Sequence, residues 1–204
     1  MENNQLSWVK AVKPEVLKKM LPHKLQVVYE RPTFLDTFAQ QAIIISKRST
    51  CLFNEVGAII FYKGRYMLSS GYNGAASGDV DPKDEGCARI VEGNLKEGQG
   101  YCRGSHAELN AIGNLTVSTM NFNELSMMVT LRPCFACGKQ IVNKGIKKVY
   151  YLWEYDQDHQ VIKYLDGLGI KVVQYNSAFL ESWIKLNNYT PPRIAMFAKL
   201  TAVK

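Results

Sequence analysis

Two short stretches hold the residue types best suited to chemistry: SHAELNAI at 105–112 and RPCFAC at 132–137. Together they present an imidazole (His106), a carboxylate (Glu108) and two thiols (Cys134 and Cys137). His106, Cys134 and Cys137 form a ligand set for zinc. Three protein ligands leave a fourth position for water, which marks a catalytic metal rather than a structural one. Glu108, two residues past the histidine, is placed to exchange protons with that water without binding the ion. A lone Cys-x-x-Cys also serves structural zinc half-sites and redox pairs. The His-x-Glu ahead of it, Pro133 before it and the apolar run SMMVTL leading in favour the catalytic reading.

Both sets of ligands are expected to open a helix. Leu109 to Ile112 continue a helical pattern after the first set, and Phe135 to Val142 do so after the second. Partial positive charge at a helix N-terminus favours thiolate at Cys134 and Cys137, and Pro133 suits a helix start. Upstream, Phe34–Ser49 reads as a helix with Asp36 as its N-cap and Phe38, Ala42 and Ile45 on one face. The segment 55–74 reads as two strands joined at Lys63-Gly64, and the glycine-rich 71–104 as a long loop region. Further strands are expected at 126–131, 147–153 and 170–174, with helices at 134–144 (ended by Gly145), 157–168 and 178–186. Strand and helix alternate after residue 105, which implies an α/β fold with parallel crossovers in one mixed sheet of five strands.

The chain has 204 residues, enough for one well-packed core, and its apolar and charged fractions are those of a globular protein. No apolar run approaches the ~20 residues that span a bilayer, and the first ten residues lack the apolar core of a signal peptide, so a cytoplasmic location is expected. Five cysteines, two of them assigned to metal, speak against a disulfide framework. The formal charge of +7 suits an anionic partner, but the basic residues are scattered in pairs such as Lys18-Lys19, Lys47-Arg48 and Lys147-Lys148. Charge alone does not choose between a nucleotide and a polynucleotide. Residues 1–34 read as an accessory segment with a short helix at Pro14–Met20, 35–176 as the catalytic domain, and 177–204 as a helix and tail that packs on the body or closes over the site.

The pairing of His-x-Glu with Pro-Cys-x-x-Cys resembles the zinc-dependent nucleobase deaminases. A narrower resemblance, to the deoxycytidylate (dCMP) deaminases, rests on SKRSTC at 46–51, VGAII at 56–60, GYNGAASG at 71–78, EGCAR at 85–89, YCRGSHAELNAI at 101–112 and VTLRPCFACGKQIVNKGIKKVYY at 129–151. That resemblance implies a three-layer α/β/α fold of the cytidine-deaminase kind and hydrolysis of dCMP to dUMP and ammonia. It places zinc at His106, Cys134 and Cys137 and acid/base work at Glu108. It also implies substrate contacts at the Ala107 amide, at Asn73 (equally a turn residue beside Gly74) and at Tyr155, which could stack on the nucleotide. Ser46, Lys47 and Arg48 are the candidates for the substrate phosphate, Arg48 foremost, with Arg103 in reserve. Cys51, Cys87 and Cys102 read most simply as buried free thiols, although some members of the family carry a second, structural zinc in this region. The resemblance further implies a homo-oligomer with dCTP and dTTP as effectors. Here the chain departs from the family, with Ala76 where proline is common and DVDPKDEG following.

Two other readings compete. One is a zinc deaminase acting on another base: cytidine, tRNA adenosine or a riboflavin precursor. The insertion before residue 105 argues against the shorter tRNA-editing architecture, and no nucleic-acid partner is expected. The other is a nucleotide-binding or competence-associated module with little turnover, for which an acid/base at Glu108 would have no use.

Overall fold

A computed structural model of the chain describes residues 31–92, 94–95, 101–116, 123–155 and 160–190. The expected helix at Pro14–Met20, most of the accessory segment and the tail beyond residue 190 lie outside them. The elements are α1 (Phe34–Ser46), β1 (Gly57–Tyr62), β2 (Tyr66–Tyr72), β3 (Gly74–Ala75), α2 (Pro82–Glu85), β4 (Ile90–Val91), β5 (Asn94–Leu95) and β6 (Gly104–Ser105). There follow α3 (Ala107–Gly113), β7 (Leu125–Leu131), α4 (Phe135–Asn143), β8 (Lys148–Trp153), α5 (Gln160–Gly167), β9 (Lys171–Gln174) and α6 (Ala178–Leu186).

The main sheet has five strands in the order β2-β1-β7-β8-β9. β1 pairs antiparallel with β2 and β7, while β7, β8 and β9 run parallel, so the sheet is mixed as the alternation of elements implied. Period-two alternation sends side chains to both faces. Ala58, Ile60, Met127, Val129, Val149 and Tyr151 meet Ala107, Ala111, Ile141, Val161 and Leu165 of α3, α4 and α5. Ile59, Phe61, Met128, Tyr150 and Leu152 meet Phe38, Ala39, Ala42 and Ile43 of α1 and Leu180 of α6. Covering both faces explains why the central strands read as continuous apolar runs, and it makes three layers. Among the described residues no helix is long and apolar enough to cross a membrane.

Two local expectations change. The N-cap of α1 is Thr33, not Asp36. Asp36 sits at the third helical position and completes a capping box by accepting from the Thr33 backbone. The helix stops at Ser46, so residues 47–49 form a turn. The region 71–104 is also more ordered than a plain loop. β3 and β6 pair antiparallel through Gly74↔Ser105 and Ala75↔Gly104, which closes the excursion just before the first metal-ligand stretch.

Asp36 does more than cap. Its carboxylate, 3% exposed, accepts from Thr33 N (2.9 Å), Thr33 Oγ1 (2.6 Å), Tyr175 OH (2.8 Å) and the Ser177 hydroxyl, tying α1 to the chain between β9 and α6. Burial alone would raise this carboxyl, but the hydrogen bonds from Ser177, Thr33 and Tyr175 outweigh it and hold the group below its ordinary value. Asp36→Asn keeps the shape but turns one acceptor oxygen into a donor facing other donors, and should lower stability at pH 7 by about 2–3 kcal/mol in urea unfolding. The folded-state value lies below the unfolded one, ~3.9, so this stabilisation is complete above the unfolded value and disappears as pH falls through the folded one. The gap between wild type and variant should therefore narrow below about pH 4; a gap that stays constant down to pH 2 would contradict this role.

Candidate active site

The first ligand stretch is held against the sheet by close packing. A side chain on Gly71 would lie 2.3 Å from Ala111 N and 2.5 Å from Ala107 O, so only glycine lets α3 approach β2 this closely. Ser69 Oγ donates to Ala111 O (2.7 Å) and Asn110 Nδ2 to Tyr72 O (2.7 Å), fixing α3 along the strand. His106 is the N-cap residue of α3 in an extended conformation, and its imidazole makes no capping bond but turns to the two cysteines. The second stretch leaves the C-terminal end of β7. Cys134 is the N-cap of α4, its Sγ accepting from Cys137 N at 3.5 Å, and Cys137 stands one turn on.

These placements bring His106 Nδ1 to 3.5 Å from Cys134 Sγ and 3.3 Å from Cys137 Sγ. All three ligand atoms lie within 4.8 Å of one another, and among the described residues no other group of three His, Cys, Asp or Glu side chains does. A tetrahedral ion with Zn–S near 2.3 Å and Zn–N near 2.0 Å has edges of roughly 3.5–3.8 Å, so the donor types and spacings fit zinc with little adjustment. Hydrogen bonding from Cys137 pushes the Cys134 thiol down to about 4, against the opposing effect of burial. The hydrogen bond with Cys134 and its own burial push the Cys137 thiol up. The hydrogen bond with Cys134 also raises His106. Such a set releases protons when it takes up a cation.

Glu108 is 4% exposed beside these ligands, and burial pushes its carboxyl up, the condition for a group that must both take and give a proton near neutral pH. It lines a cavity of about 330 Å³ that also contains His106, Ala107, Cys134, Asn73 and Tyr155. Asn73 is largely committed to the fold: its Oδ1 accepts from Val56 N (2.8 Å) and its Nδ2 donates to Asn54 O (2.8 Å), holding the 54–56 turn at the cavity wall.

Arg48 is not at the cavity. With α1 ending at Ser46, the chain turns so that residues 51–54 line the cavity wall while Arg48 points to solvent. Lys47 pairs with Glu55 (2.7 Å) and lies over the Tyr189 ring, and the buried Ser46 hydroxyl bonds Ile43 O (2.7 Å). Among the described residues, the arginines that line the cavity are Arg89, Arg103 and Arg132. Arg103 is held by Asp79 on the chain between β3 and α2. Cys51, Cys87 and Cys102 line the same cavity as free thiols, the first two half-buried and Cys102 exposed rather than buried as expected, and they do not come together as a second ligand group. Arg132 escaped the sequence reading, although a charge at the end of the buried strand pattern VTL was a signal that it needed a partner.

Three candidate zinc ligands, two of them just beyond the C-terminal end of β7, and a buried carboxyl beside them suit hydrolytic chemistry on a small molecule. The chain belongs to the cytidine and deoxycytidylate deaminase family, whose zinc-binding region matches residues 32–153. Among its relatives is ComE operon protein 2 of Bacillus subtilis, 34% identical over 146 residues, which cover 71% of this chain and 72% of that one. The deoxycytidylate deaminase of Schizosaccharomyces pombe is 30% identical over 147 residues, 71% of this chain but 45% of the yeast protein. The chain therefore spans less than half of that relative. The dCMP deaminase of cyanophage S-TIM5, solved in complex with dCMP and dUMP, superposes with a TM-score of 0.55 at 27% identity, over 76% of this chain and 99% of the phage protein.

Proposed function

We propose that the chain deaminates dCMP hydrolytically to dUMP and ammonia. The observation that carries this reading is the buried Glu108 carboxyl beside the His106, Cys134 and Cys137 cluster, inside a nucleotide-sized cavity lined by arginines. Its relatives include deoxycytidylate deaminases and a phage enzyme with dCMP and dUMP bound. His106, Cys134 and Cys137 would hold zinc, whose chemistry there would be to polarise a water molecule and lower its pKa to about 7. Glu108 would take one proton from that water and give it to N3 of the pyrimidine as the water oxygen bonds to C4, then take the remaining proton of that oxygen and give it to the departing amine. The C4–N bond breaks as the C4–O bond becomes a carbonyl, so one water is consumed and one ammonia released. The Ala107 amide, at the N-terminus of α3 on the cavity wall, would bond the base, and Tyr155 would form part of the wall around it.

The phosphate falls to Arg103 in this reading. Its guanidinium now holds the Asp79 carboxylate, and a phosphate presents similar oxygens to the same fork. Arg103→Ala should raise KM for dCMP about tenfold or more, while deoxycytidine, which lacks the phosphate, changes little. Equal effects on both substrates would remove that role. A panel of dCMP, CMP, deoxycytidine and dCTP tests the substrate reading, with the highest kcat/KM expected for dCMP; a preference for another base would move the chain to a different deaminase activity. A reducing, cytoplasmic setting suits ligands that act as thiolates. The reading also includes a homo-oligomer responsive to dCTP and dTTP, supported by sequence resemblance and by the exposed apolar side chains Phe34, Tyr66 and Met67. A monomeric mass in solution would overturn it.

A further inference from the structure

Arg132 is the buried cation among the described residues, 2% exposed at the end of β7 and two positions before Cys134. An apolar side chain would fill such a place with no desolvation penalty, so a guanidinium there has to be compensated by specific partners. Its Nε donates to Glu154 Oε2 at 2.6 Å, and a terminal nitrogen donates to the Tyr155 carbonyl. Its backbone N–H donates to Trp153 O at 2.9 Å. The Tyr151 hydroxyl donates to the other Glu154 oxygen at 2.5 Å, so one carboxylate is gripped from both sides. Three consecutive residues, the last of β8 and the two that follow it (153 to 155), are thereby tied to the strand end that delivers the cysteine ligands. Arg132 and Tyr155 both line the cavity that contains Glu108.

We propose that Arg132 is a positioning residue, a buried clamp that fixes Glu154 and the Tyr155 backbone so that Tyr155 stands as a wall of the substrate cavity. The role of that wall rests on the reading of the cavity as a nucleotide site. The geometry favours a clamp over a general stabilising ion pair for two reasons. The contact to Tyr155 is made to its backbone, so it sets where the ring starts whatever the ring touches. Glu154 is half exposed, so the pair leaves one side in water and contributes less to global stability than a sealed one. The planar guanidinium reaches the Glu154 carboxylate and the Tyr155 carbonyl at once, and a lysine cannot reproduce that fork.

The test uses the full-length, zinc-loaded protein with Arg132→Met, Arg132→Lys and Glu154→Gln, the last at the exposed partner to secure a folded variant. Each should raise KM for dCMP by roughly tenfold to a hundredfold while kcat changes less than about threefold and zinc content is unchanged. In a double-mutant cycle with Tyr155→Ala, the effects of Arg132→Met or Glu154→Gln on KM should be strongly non-additive, because both act on one wall. A second readout does not depend on substrate. In protein labelled with 3-fluorotyrosine, the ¹⁹F resonance assigned by its absence in Tyr155→Phe should move toward the solvent-exposed value in every clamp variant. Additive effects on KM, or an unmoved Tyr155 resonance in the folded variants, would overturn the proposal. If wild type turns over no dCMP, the nucleotide reading fails, and the ¹⁹F shift still decides whether the clamp exists.

Discussion

Glu108→Gln should lose at least about a thousandfold in kcat while keeping its zinc, its fold and a nearly unchanged KM. The substitution is close to isosteric, which matters because Glu108 is 4% exposed and a change of volume there would disturb the packing of α3 on the sheet. Glutamine can hydrogen-bond but cannot carry a proton from water to N3 and then to the leaving amine. The loss therefore falls on the chemical step rather than on binding. Burial pushes the Glu108 carboxyl up, the direction that suits the proposed acid and base roles. Steady-state rates, zinc per chain and thermal unfolding of the variant check this together. A variant turning over within tenfold of wild type would assign the proton transfers elsewhere.

Cys137→Ala should abolish both zinc retention and activity. Cys137 is fully buried at the third position of α4, and its sulfur lies 3.3 Å from His106 Nδ1. Removing it leaves one imidazole and one thiolate, a set that holds zinc far more weakly and no longer neutralises the ion. The metal also contributes stability by binding the folded state alone, about 4 kcal/mol when free zinc exceeds its dissociation constant a thousandfold. Adding a chelator should therefore lower Tm of the wild type but leave the variant unmoved. Metal analysis after dialysis, with calorimetry on the same samples, reads both effects. A variant that keeps a full equivalent of zinc would remove Cys137 from the ligand set.

The sequence showed most where short-range rules and function coincide. The ligands are spaced by helix geometry, with His106 and Cys134 each at an N-cap, so their chemistry and their secondary structure were visible in the same few residues. The apolar runs of β1, β7 and β8 likewise carried the sheet, because burial on both faces demands them. Less could be read where partners come from far along the chain. Asp36 looked like a cap because acidic residues favour helix starts, yet its place as the third helical residue depends on Thr33, and its burial on Tyr175 and Ser177 about 140 residues away. Arg48 looked like a phosphate ligand because it follows a helix in a family-like stretch. One turn of chain after Ser46 sends it outward, while the β3–β6 pair brings Arg103 to the cavity. That pairing joins two-residue strands 30 positions apart, too short to leave a periodic signal.

The most direct test of the account is to incubate the zinc-loaded protein with dCMP in H₂¹⁸O and follow dUMP, ammonia and isotope content together. Equal amounts of dUMP and ammonia are expected, with one ¹⁸O per dUMP located at the uracil 4-oxygen, and Glu108→Gln should form them at least about a thousandfold more slowly. Zinc-loaded protein that forms no dUMP, or dUMP without solvent oxygen at that position, would contradict it.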